Sequence, residues 1–113
     1  MTKPVDARAH FAATMSEKTL SQRVVELARA RGWKVARWPT WRATGTDPGV
    51  PDLLLAREMR VIFAELKIAK GKLSPAQEEW RYAIEPAFGD TNVEYFLWRP
   101  MELLDGTIDG GLA

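Results

Sequence analysis

The stretch GVPDLLLAREMRVIFAELKI, residues 49–68, decides the reading of the fold. Asp52–Ala56 and Val61–Ile68 read as two strands around a short turn at Arg57–Arg60. If Ala56 and Val61 close that turn, pairing outward from it sets Asp52 directly opposite Glu65. Opposed residues of an antiparallel pair hold their Cβ atoms about 5 Å apart, where like charges repel. Side chains alternate, so Val61, Phe63, Glu65 and Lys67 share one face. The other face takes Ile62, Ala64, Leu66 and Ile68, all apolar and expected to pack against a helix.

Facing carboxylates with an ammonium at the end of an apolar hairpin form a costly arrangement. Unpartnered burial would cost several kcal/mol or more. Two readings stand on spacing alone. In one, Lys67 and other bases neutralise the acids as a structural ion-pair cluster. In the other, a cation sits between them. Hard divalent ions such as Mg²⁺ take oxygen ligands, often one or two carboxylates with water and substrate phosphate. A Lys two residues from a metal-binding Glu can then orient water or stabilise charge on a phosphoryl group.

The rest of the chain shortens the list of chemistries. Its 113 residues suffice for a single core, and 46% hydrophobic with 27% charged residues suits a folded domain. The absence of Cys excludes disulfides, thiolate metal sites and thiol nucleophiles, and a lone His10 leaves almost no room for imidazole zinc sites or Ser-His triads. Carboxylates, Lys, Arg and hard cations remain. No apolar run has membrane-spanning length and no signal-peptide core is present, so a cytoplasmic protein without a membrane partner is expected. Net charge is +1, unevenly spread: residues 1–47 carry nine basic and four acidic residues, residues 48–113 seven and eleven. That split suits one surface that attracts phosphate and another that holds a cation, or simply a solvated basic helix face.

Residues 1–13 lack clear periodicity and read as a flexible arm. A helix then starts at Thr14, through a Thr14/Glu17 capping box, or at Ser16. Leu20, Val24, Leu27 and Ala28 recur at helical spacing before Gly32 ends the segment. Trp33–Trp38 reads as a strand, and Pro39–Gly49 as the longest loop. After the hairpin, Ser74 caps a helix with Pro75 at its first position and Gln77 at its third. Val93–Trp98 is the last strand and Met101–Leu104 a short helical piece; the Gly-rich tail, 105–113, is expected to fray. The order is αβββαβ, an α/β sandwich with a mixed four-stranded sheet flanked by helices across residues 14–104.

Gly49-Val50-Pro51-Asp52 followed by Glu65-Leu66-Lys67 resembles the two halves of the PD-(D/E)XK nuclease signature. Ser16-Glu17, Gly32-Trp33 and Leu73-Ser74-Pro75-Ala76-Gln77, in this order around those halves, narrow the resemblance to the virus-type replication-repair nuclease (VRR-NUC) branch over residues 15–100. The resemblance implies the restriction-endonuclease-like core and a phosphodiesterase that cuts DNA with Mg²⁺ or Mn²⁺, leaving 5′-phosphate and 3′-hydroxyl ends. It assigns the metal to Asp52 and Glu65, to the backbone carbonyl of Leu66 and to Glu17 as an additional acid. Lys67 becomes the water-activating or charge-stabilising amine, and Gln77 a polar support. Stand-alone members resemble viral junction-resolving enzymes, which implies a homodimer on branched DNA or Holliday junctions in a bacterial or phage-infected cytoplasm. Related nucleases often have Tyr four residues after the Gln; here that position is Arg81.

Plainer roles compete at several positions. Glu17 at a helix start also offsets the dipole, and Ser74-x-x-Gln77 is a capping box in its own right. Lys70 and Lys72 are candidate phosphate contacts or solvated loop residues. Trp41 and Arg42, in the long loop, are candidates for stacking on an unpaired base. Trp33, Trp80 and Trp98 suit the core or a dimer interface. A non-catalytic DNA-binding or assembly module on the same fold is the alternative function. A sequence-specific restriction enzyme would need recognition segments for which there is little room.

Overall fold

The computed structural model describes residues 7–37, 45–85 and 92–113. Helix α1 (Ala7–Thr14) precedes α2 (Glu17–Ala30), strands β1 (Lys34–Arg37), β2 (Leu53–Arg57) and β3 (Arg60–Leu66), helix α3 (Pro75–Ile84) and strand β4 (Val93–Trp98). Two short helices, α4 (Pro100–Leu104) and α5 (Thr107–Gly111), close the chain.

The two candidate starts of α2 separate cleanly. Ser16 is the cap, its hydroxyl accepting from the Thr19 amide at 3.1 Å, while the Thr14 hydroxyl donates back to the His10 carbonyl within α1. Leu20, Val24, Val25 and Ala28 form the buried stripe of α2, and Gly32, with φ +83°, turns the chain into β1.

The sheet order is β1-β2-β3-β4, antiparallel through the first three strands and parallel between β3 and β4. The parallel pair requires a crossover, which α3 supplies. Ala56 pairs with Val61, and Leu53 with Ala64, so the hairpin has the register expected from its turn. On one face of the sheet Leu53, Leu55, Ile62, Ala64, Leu66 and Trp98 join α2 in a single core. The opposite face meets α3, which has no fully buried residue. Ile68 differs from expectation. β3 stops at Leu66, and Ile68 is 47% exposed beyond the end of the apolar face.

Two terminal segments also differ from the sequence reading. Within the expected arm, residues 7–13 are helical as part of α1, and Ala12 is buried. Within the expected frayed tail, Ile108 and Leu112 enter the core with no exposure. The Trp33 indole donates to the Leu112 carbonyl at 2.9 Å, Arg57 to the same carbonyl at 3.1 Å, and Arg60 to that of Ala113 at 3.0 Å. The tail satisfies buried donors as well as filling space, which outweighs its three glycines. No helix among the described residues is long and apolar enough to cross a membrane.

Candidate active site

Asp52 lies one residue before β2, and Glu65 is the sixth residue of β3. The hairpin register carries one step past the end of β2 and brings the two carboxyl groups together. Asp52 Oδ2 accepts the Leu66 amide at 2.8 Å, where a continuing strand would have offered a carbonyl. Pro51 is buried and cannot donate, so it limits the pairing of the residue before Asp52.

Glu65 is 2% exposed, the one charged side chain in the buried set of described residues. Burial above all, then the neighbouring charge of Asp52, pushes its pKa up to about 9, against a smaller opposing pull from Lys67. Its Oε2 is buried without a hydrogen-bond partner. The pair therefore holds a proton at neutral pH in the metal-free protein. A buried, unpartnered carboxylate oxygen beside a second carboxylate is a donor set that fits a hard divalent cation.

Gln77 reconciles its two candidate roles. Its Oε1 accepts the Ser74 amide at 2.8 Å and its backbone amide donates to Ser74 Oγ at 3.2 Å, a complete capping box. Its Nε2 donates to Glu65 Oε1 at 3.2 Å. One amide thus starts the helix with its oxygen and steadies the acid with its nitrogen. Gly49 makes this closeness possible. It has φ +90°, and a Cβ there would lie 2.5 Å from the Ala76 carbonyl carbon and 2.6 Å from the Gln77 amide nitrogen.

Asp52, Glu65, Lys67 and Gln77 are brought together. Glu17, exposed at the first position of α2, adds the weakest of the charge effects felt at Glu65. Among the described residues no group of three or more His, Cys, Asp or Glu has metal-holding geometry. Lys70 and Lys72 are exposed on the segment after β3. Trp41 and Arg42 lie outside the described residues.

Three neighbours were not anticipated. Arg99 donates to the carbonyls of Ile68 (3.0 Å) and Gly71, pinning the segment that follows Lys67. Tyr95, on β4, has a buried hydroxyl without a partner, and burial followed by the Glu65 charge raises its pKa to about 12. Arg81 sits 5.7 Å from the centre of the Tyr95 ring. Alternation in Val93–Trp98 separates Tyr95 from Phe96 and Trp98, a usable signal, but the facing strand is set only by the long-range parallel register.

A solved structure described as a VRR_NUC domain superposes on this chain with a TM-score of 0.57 at 20% identity, covering 80% of this chain and 92% of the other. The fold is that of a VRR_NUC domain. The mixed four-stranded sheet with flanking helices matches the VRR_NUC architecture expected from the motifs. No protein-family model matches the sequence, and no curated protein does.

Proposed function

We propose that this protein is a Mg²⁺- or Mn²⁺-dependent DNA endonuclease, acting as a homodimer on branched DNA such as Holliday junctions and leaving 5′-phosphate and 3′-hydroxyl ends. The observation that carries the reading is Glu65: a buried carboxylate with one free oxygen, set against Asp52 with Lys67 two residues on. The VRR_NUC fold supports it. So does the excess of basic residues in the first 47 positions, which suits a polyanionic partner.

Asp52 and Glu65 would hold the ion by their side chains, Leu66 by its carbonyl, with Glu17 as an additional acid. The bound ion supplies charge neutralisation at the phosphodiester and a lowered pKa for water. Lys67 keeps a positive charge beside the reacting phosphate, where it orients water or offsets charge that grows in the transition state. Gln77 holds one oxygen of Glu65 and so limits its rotation. Lys70 and Lys72 meet backbone phosphates from the segment that Arg99 pins, and Trp41 with Arg42 stacks on a distorted base.

Junction, flap, duplex and single-stranded DNA incubated with Mg²⁺, Mn²⁺ or chelator form the direct assay. Cleavage of junctions with either metal and none with chelator is expected. Asp52→Asn and Lys67→Ala should each lower the rate by several powers of ten, equivalent to several kcal/mol of barrier. Unchanged cutting by both variants, or salt-sensitive binding with no cutting of any substrate, overturns the reading in favour of a binding module.

A further inference from the structure

Tyr95 and Glu65 approach each other from neighbouring strands. The parallel register pairs Phe63 with Tyr95 and Glu65 with Leu97. Tyr95 and Glu65 therefore project from one face of the sheet, a single diagonal step apart, within reach of long side chains. Each ends in a buried oxygen with no hydrogen-bond partner, Tyr95 Oη and Glu65 Oε2. Leaving such a group unpaired costs about 1–3 kcal/mol, more for a charge. Both penalties disappear if one water with suitable polar neighbours lies between them.

Gln77 occupies Glu65 Oε1, so Oε2 is the oxygen still to be satisfied. Arg81 lies over the Tyr95 ring and is itself held by Glu85 at 3.0 Å, so the ring is fixed by a cation that leaves the hydroxyl free. We propose that Tyr95 is a positioning residue: its hydroxyl hydrogen-bonds one water, which in turn hydrogen-bonds Glu65 Oε2 and holds the carboxyl group in the rotamer that faces Asp52. The consequence for a bound cation rests on the nuclease reading; the water bridge itself does not.

Tyr95→Phe keeps the ring under Arg81 and removes only the hydroxyl. Crystal structures of the chelator-treated wild type and variant test the bridge directly. A water within hydrogen-bond distance of both oxygens, lost in the variant, is expected; a wild type without it overturns the proposal. Calorimetric titration with Mn²⁺ should show the variant binding about tenfold more weakly, the usual effect of losing a partner of a metal ligand. Its melting temperature in chelator should fall by only a few degrees, the cost of one buried oxygen left unpaired. Equal Mn²⁺ affinity, or a weaker affinity matched by general destabilisation, overturns the positioning role. If the wild type neither binds Mn²⁺ nor cuts DNA, the nuclease reading falls, and the crystallographic comparison still decides Tyr95.

Discussion

Glu65 keeps its proton in the folded metal-free protein at pH values where the unfolded chain has lost it. Its folded pKa, about 9, lies above its ordinary 4.5. Between those values the native state binds more protons, so stability is greatest at the acid end of the window and falls as pH rises through it. The slope contributed by this group is at most about 1.4 kcal/mol per pH unit. Melting in chelator from pH 5 to pH 9 should show that decline, and Glu65→Gln should flatten it. Gly49 is the other residue with a sharp expectation. Gly49→Ala would force a Cβ into the start of α3 while holding a left-handed backbone. A loss of about 2 kcal/mol or more in denaturant unfolding is expected. On the nuclease reading, cleavage should fall about a hundredfold, the usual effect of misplacing a reacting group by about 1 Å.

At the scale of elements, the β2–β3 hairpin is stable despite its turn. Glu58 and Met59 hold φ values of +49° and +66°, a left-handed pair usually filled by Asn-Gly. Each non-glycine residue there costs about 1–2 kcal/mol. Met59 is 85% exposed, so little packing would be lost by replacing it. The double variant Glu58→Asn/Met59→Gly should gain about 1–2 kcal/mol in thermal or denaturant unfolding, with its DNA cutting rate unchanged. This hairpin also shows what could be read locally. Its register follows from alternation and turn length, which set Asp52 beside Glu65. The dual use of Gln77 was half visible, since a capping box is a local pattern and the bond to Glu65 is not. Tyr95 and Arg99 reach the site through the β3–β4 pairing and the close of β4, relations that no short window contains. The helix at Ala7–Thr14 buries only Ala12 and so lacks a strong apolar stripe, while glycines in the tail mask the anchoring by Ile108 and Leu112.

The molecule as a whole divides its labour across one sheet. The face toward α2 holds the core; the face toward α3 holds the candidate chemistry, and α3 is retained without a single fully buried residue. Most resistance to unfolding therefore comes from the side away from the site. Leu112, unexposed and reached by residues from β2 and the α2–β1 turn, belongs to that side. Leu112→Ala should cost about 2–5 kcal/mol in denaturant unfolding, as expected for a cavity in a packed core. At temperatures where the variant is still folded, cutting should stay near wild type.

The peptide hydrogen of Leu66 ends on an aspartate oxygen instead of on another strand. An amide in that situation senses the electron density of the carboxylate directly. Its proton resonance is thus a natural gauge within the molecule, able to register an ion settling on Asp52 without any label and without any substrate.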